Sequence, residues 1–118
     1  MSDEEPAFDI VTDELDGMAV VSVSGEIDLT TSDSLQGSIE RTTAPTVVLD
    51  LSRVAFLDSS AIRAIDRGRR RLVSQERSLL IVSPPGTPSA WTLRVAGFDG
   101  ELVIESLDML RGADGQTA

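Results

Sequence analysis

Between Val54 and Leu72 the rhythm of apolar and polar positions changes. Ala55-Phe56-Leu57 is a short apolar run that leads into three small polar residues, Asp58, Ser59 and Ser60. From Ala61 onward the apolar positions recur at the helical period. At ~100° per residue, Ala61, Ile65, Gly68 and Leu72 share one stripe, flanked by Ala64, Ile62 and Val73. Arg63, Asp66, Arg67 and Arg70 take the opposite face, and Asp66 and Arg70 are four apart in the favourable order for an ion pair. The pattern predicts a helix that starts at Asp58-Ser59-Ser60, residue types whose side-chain oxygens cap free backbone N–H groups.

The rest of the chain falls into strands and helices around this stretch. Phe8 to Thr12 reads as an edge strand, turning through Asp16-Gly17 into Met18 to Ser24, where Ala19, Val21 and Val23 alternate with Val20, Ser22 and Ser24. Gly25-Glu26-Ile27-Asp28 follows at that strand's end. Thr30-x-x-Asp33 fits a capping-box variant for a first helix to about Arg41, with Leu35 and Ile39 facing inward. After Pro45, Thr46 to Leu51 is the near-continuous apolar run of a central strand covered on both faces, and a short connection then leads into Phe56-Leu57-Asp58-Ser59-Ser60. Asp50 within that run reads as a hydrogen-bonded structural residue.

Downstream, Ser78 to Ser83 predicts another buried strand. The proline-rich link Pro84 to Pro88 ends at Ser89, a candidate cap for a helix to Ala96 that stops at Gly97. Trp91, the only tryptophan, reads as a partly buried cover and a weaker interface candidate. Glu101 to Glu105 reads as a last strand and Ser106 to Arg111 as a short helix. Residues 1–7 read as an acidic flexible tail and 113–118 as a second tail, leaving one domain over 8–112. The first two strands form a hairpin and the later ones are joined through helices. That order gives a single α/β domain with a mixed sheet of about four to five strands and helical crossovers.

Composition narrows the function classes. The 118 residues suffice to bury about 65–70% of the unfolded surface without covalent staples. There is no cysteine and no histidine, which removes disulfides, thiolate metal sites, thiol nucleophiles and imidazole bases. All ten basic residues are arginine, so neither a P-loop lysine nor a Schiff-base amine is present. A serine hydrolase built on Ser59 would lack the histidine that activates its nucleophile. A net charge of −10 argues against a nucleic-acid partner, and the arginines at 63, 67, 69, 70 and 71 read as a solvated helix face. No run of ~18 apolar residues occurs and the acidic N-terminus is unlike a secretory signal, so no membrane association is expected and the expected location is cytoplasmic. No metal, cofactor or catalytic residue is expected.

The order GEID, VVLDLS, FLDSS, at this spacing and from about Gly17 to Leu110, resembles the STAS domain, specifically the single-domain anti-sigma factor antagonists of bacteria. In that family the serine directly after the aspartate of the DSS motif is phosphorylated, which implies Ser59 here. Asp58, Ser60 and Asp28 are implied as supporting residues, and Ala61, Arg63 and Arg67 as partner-facing. The chain departs from the glycine-rich continuation usual after DSS, carrying Ala61 and Arg63 instead. The resemblance implies a switch and not an enzyme. The unphosphorylated form would bind an anti-sigma factor with serine kinase activity, a sigma factor would be released, and a PP2C-type phosphatase would reverse the modification. The alternative is a STAS scaffold or accessory subunit of a transporter or stress-signalling complex. A helix N-terminus suits the added dianion, through unpaired N–H groups and the positive end of the helix dipole.

Overall fold

The computed structural model describes residues 8–98, 103–104 and 106–107. Asp16 and Gly17 both adopt left-handed backbone, with φ of 52° and 82°. Two such residues in succession make the tight turn whose twist suits a hairpin. They join β1 (Asp9–Leu15) to β2 (Met18–Ile27), paired antiparallel with Leu15 opposite Met18. There follow α1 (Ser32–Glu40), β3 (Thr46–Leu57), α2 (Ser59–Ser74), β4 (Ser78–Val82), α3 (Pro88–Val95) and β5 (Val103–Ile104). The sheet order is β1-β2-β3-β4-β5, and every pair after the first is parallel. Parallel neighbours need a crossover between them, and the three helices lie in those crossovers. This is the mixed α/β sheet that the pattern implied.

Alternate residues of the strands divide between two faces. Ala19, Val21, Val23, Val47, Leu49, Leu51, Leu79 and Ile81 pack with Leu35 and Ile39 of α1, Ala61, Ala64, Ile65 and Leu72 of α2, and Leu93 of α3. Val20, Val48 and Val82 form a smaller cluster on the other face, with Leu15, Met18, Ile104 and Leu107 against it. Helices α1 and α2 meet closely at Gly68. A Cβ there would stand 3.1 Å from Ile39 Cγ2 and 3.2 Å from its Cδ1. The helix stripe read from the sequence is thus the buried face of α2.

One strand differs from expectation in a way that shapes the site. The sequence suggested that β3 ends at Leu51 and a connection follows, whereas the strand continues to Leu57. Its register against β2 slips twice. Ser22 pairs with Asp50 but Ser24 with Arg53, and Gly25 pairs with Val54 but Glu26 with Phe56. Each slip inserts one extra residue into β3, a β-bulge, and re-aims the side chains beyond it. The core-facing positions therefore run 47, 49, 51, 54 and 57, the last intervals being three and not two. Unbulged alternation from Val54 would turn Phe56 inward; instead Phe56 is 49% exposed and Leu57 is buried. Gly25 sits at the second slip with φ of +90°, a conformation that favours glycine.

Two caps also differ. The first helix is preceded by Thr31 with no side-chain cap, so the Thr30–Asp33 capping box does not form. The Thr30 hydroxyl donates to Asp28 Oδ1 at 2.7 Å instead. Helix α3 is capped by Thr87, whose Oγ1 accepts from the Ala90 N–H at 3.3 Å, while Ser89 lies inside the first turn. Proline prefers the first helical position, and Pro88 occupies it, which sets the cap one residue before. The stop at Gly97 holds, with φ of +96° and the Phe98 N–H reaching back to the Leu93 carbonyl. The proposed helix from Ser106 to Arg111, beyond Leu107, and both tails lie outside the described residues. Among the described residues no helix is long and apolar enough to cross a membrane.

Candidate functional site

The last paired residues of β2 and β3 are Ile27 and Leu57, and this register sets the two following aspartates side by side. Asp58 N–H donates to the Ile27 carbonyl at 3.2 Å, tying the end of β2 to the start of α2. Asp58 is extended (φ −110°, ψ −169°) and is the N-cap of α2. Its Oδ1 accepts from the Ser60 N–H at 2.8 Å and the Ala61 N–H at 3.2 Å. Its carbonyl accepts from the Ile62 N–H at 3.1 Å, the first helical bond.

Asp28 performs a parallel task for α1. Its carbonyl accepts from the Thr31 and Ser32 N–H groups, and its own N–H donates to Thr31 Oγ1 at 2.9 Å. Its Oδ1 accepts from the Thr30 hydroxyl and N–H, and from Thr31 Oγ1 at 3.3 Å. The Thr30 hydroxyl, then the Thr30 N–H, with Thr31 adding, hold its carboxyl below the usual carboxylate range. Asp28 therefore stands beside Asp58, yet its carboxylate bonds stay within its own turn.

Ser59 is the first residue of α2, with an exposed side chain whose hydroxyl makes no hydrogen bond among the described residues. Ser60 is half-buried. Arg63 and Arg67 are exposed on the outward face, and Asp66 pairs with Arg70 at 3.0 Å. Ala61 corrects the sequence reading. It is 0% exposed within the core cluster, so its methyl group packs the helix to the sheet and does not reach a partner.

The geometry also revises the picture of an open N–H cradle. Two of the free N–H groups at the start of α2 are already taken by the Asp58 carboxylate. A dianion on Ser59 would share the helix dipole with that carboxylate, and more of its charge would face outward. Nothing in the arrangement activates Ser59 as a nucleophile, since no base bonds its hydroxyl among the described residues.

The family model of the STAS domain matches residues 9–108. The chain belongs to the STAS-domain family. Its fold is similar to that of an anti-sigma factor antagonist from Mycobacterium paratuberculosis, with a TM-score of 0.79 and 29% identity over 91% of this chain and 93% of that one. It is similar to the anti-sigma factor antagonist SpoIIAA in its unphosphorylated form (TM-score 0.71, 16% identity, 95% of this chain and 98% of that one). The phosphorylated form of Bacillus SpoIIAA matches nearly as well, at a TM-score of 0.68 and 16% identity over 95% of this chain and 100% of that one. A sulfate transporter family protein from Wolinella succinogenes shares the fold at a TM-score of 0.65 and 17% identity over 80% and 81% of the two chains. No curated protein matches the sequence.

A feature of this STAS domain that sequence reasoning missed adjoins Ser59. Phe56, Leu57, Ser59 and Ile62 on one side and Trp91, Val95 and Ala96 on the other line an apolar groove of about 430 Å³. Trp91 is 60% and Val95 66% exposed. Trp91 and Val95 are four apart on α3, so a helical pairing was legible. Phe56 was not, because only the bulges in β3 turn it outward.

Proposed function

We propose that this STAS domain is an anti-sigma factor antagonist switched by phosphorylation of Ser59. In the cytoplasm, with Ser59 unmodified, it binds an anti-sigma factor and so releases a sigma factor. The anti-sigma factor acts as a serine kinase: the Ser59 oxygen accepts the γ-phosphoryl group of ATP, its proton is lost, and ADP leaves. A PP2C-type phosphatase hydrolyses the phosphoserine to the hydroxyl and inorganic phosphate. Asp58, Ser60 and Asp28 shape the site, Arg63 and Arg67 meet the partner, and the chemistry belongs to the partners.

The observation that carries this reading is the exposed, unbonded hydroxyl of Ser59 at the first position of a helix capped by Asp58. Phosphate there adds about −1.5 to −2 charge at a site that the core does not use. The likeness to SpoIIAA in both its unphosphorylated and phosphorylated forms supports a fold that carries either state. The test is phosphorylation in vitro by the cognate anti-sigma factor and ATP. Incorporation is expected in the wild type and in Ser60→Ala, and none in Ser59→Ala; labelling retained in Ser59→Ala overturns the assignment.

A second reading, an accessory STAS domain of a transporter, is favoured by the fold shared with the Wolinella succinogenes protein. In that case the chain would co-purify with a permease and the kinase assay would leave Ser59 unlabelled.

A further inference from the structure

We propose that two copies of this chain associate by exchanging arginines. Arg67 and Arg71 of one copy enter a groove between the β1–β2 hairpin and the end of α1 of the other, and the exchange is reciprocal. This contact does not depend on the proposed function, with which it shares only Arg67.

The donor is the outer face of α2. That helix carries five arginines and one aspartate, a net +4 on a chain whose net charge is −10. Its buried stripe faces the sheet, while Arg63, Arg67, Arg70 and Arg71 are exposed. Among the described residues the helix makes one ion pair, between Arg70 and Asp66. Arg67 and Arg71 are four apart, so they neighbour each other on the surface and can act together.

The receiver is a groove of about 360 Å³, lined by Thr12, Asp13 and Glu14 of β1 and by residues 41–44 after α1. Asp13 and Glu14 are exposed and have no ion-pair partner among the described residues. Residues 9–16 hold four carboxylates and no basic residue, a net −4 opposite the +4 of α2. The threonine hydroxyls of the lining can accept guanidinium N–H groups. Arg41, the C-cap of α1, also lines the groove, so the negative end of that helix dipole lies there, with no basic residue in the last turn to offset it. Arg41 is turned back along its own helix, with Nη2 3.4 Å from Ser38 Oγ. It leaves the two carboxylates to an incoming cation.

Both surfaces lie on the helical side of the sheet. Thr12 and Glu14 stand in register with Val21 and Ala19, which pack in the helix-side core, and α1 packs against β1, β2 and α2. Donor and receiver therefore flank α1, an arrangement in which a two-fold axis can close both contacts at once. The groove is at the hairpin end of β2, and Ser59 follows the other end of the sheet. At physiological ionic strength the screening length is ~8 Å, so the like net charges of two copies are damped while opposite charges in contact are not.

Sedimentation equilibrium of the purified chain over a concentration series should show monomer and dimer in exchange. The balance should move to monomer in about 1 M salt, where the screening length falls to ~3 Å. Glu14→Arg and the double variant Arg67→Glu, Arg71→Glu should each weaken self-association about tenfold or more. Thermal midpoints should stay close to wild type, because all three sites are exposed. Glu26→Arg, an exposed carboxylate outside the groove, should associate as wild type does. An equal mixture of the Glu14 variant and the double variant should recover the dimer, since each reversed groove then meets a reversed helix and each native groove a native one. A wild type that stays monomeric at every salt concentration, or variants that associate undiminished, would overturn the proposal. A mixture that fails to recover the dimer would overturn the reciprocal exchange. A monomeric wild type that takes up a tetra-arginine peptide, with uptake lost in Glu14→Arg, would give the groove to a basic partner other than a second copy and overturn the proposal likewise.

Discussion

Helices α2 and α3 begin alike and end up presenting opposite kinds of serine. Each starts with a capping side chain that accepts a backbone N–H, Asp58 in one and Thr87 in the other, and each has a serine within its first turn. Ser89 is 0% exposed, and its hydroxyl lies 2.9 Å from that of Ser83 and 3.2 Å from that of Thr87. Ser59 is exposed and its hydroxyl has no partner among the described residues. A helix N-terminus favours negative charge in both places, by the same dipole. Solvent access and a free hydroxyl separate them. One serine closes the fold, and the other faces solvent.

The same substitution at both serines should break the symmetry most. Ser89→Asp forces a carboxylate into a site with no solvent and only hydroxyl neighbours, and should cost about 3 kcal/mol or more. Ser59→Asp places the charge in water at a helix start and should shift stability by less than about 1 kcal/mol. Urea denaturation of the two variants measures both, and comparable losses would mean that Ser59 is part of the packing.

A gentler version removes hydroxyls. Ser83→Ala takes away the short bond to Ser89 but leaves Thr87 within reach, so about 1 kcal/mol of stability should be lost. Ser59→Ala should stay within about 0.5 kcal/mol of wild type by the same measurement. A larger loss at Ser59 than at Ser83 would reverse the contrast.

The start of α1 supplies a third case, sensitive to acid. The Asp28 carboxyl is held below its ordinary value of 3.8 in the folded chain. Its contribution to stability is therefore fully present above that value and is lost as pH falls through the lower, folded one. Between Asp28→Asn and wild type, the difference in thermal midpoint should be steady at neutral pH and shrink below pH about 3.8. A difference that instead grew on acidification would mean the carboxyl is not stabilised by Thr30 and Thr31. The effect is small because the turn is largely in contact with water.

How much could be read from the sequence depends on how local the cause is. The stripe Ala61, Ile65, Gly68, Leu72 came through because a helix writes its buried face into residues three and four apart. The Asp16-Gly17 turn came through because two left-handed residues in a row leave few alternatives. The cap of α3 was misplaced by two residues although Pro88 marked it. The order Thr-Pro-Ser offers two capping hydroxyls, and the preference of proline for the first turn decides between them. The bulges of β3 could not be read, since a bulge is a relation between two strands and neither strand's sequence contains it alone. Phe56 was hidden for that reason. Ala61 was set among the partner-facing residues by the motif it follows, while its place on the helix stripe already pointed inward. Ser59 was singled out by its motif, and its exposure and free hydroxyl come from the fold.

The two extra residues in β3 carry a consequence for how this surface can vary. The outward turn of Phe56 and the position of Ser59 are set by a count of residues along a strand, not by the chemistry of any one of them. Point changes in the exposed positions Ser52, Arg53 and Ala55 leave that count intact, and the lineage can sample them freely. Deleting Ala55 would remove the second bulge and leave plain alternation, with Phe56 outward and Leu57 inward as before, while changing the bend of the strand just ahead of the next helix. Such a surface can drift by substitution, and loss of an extra residue would straighten the strand beneath it while leaving the same side chains outside.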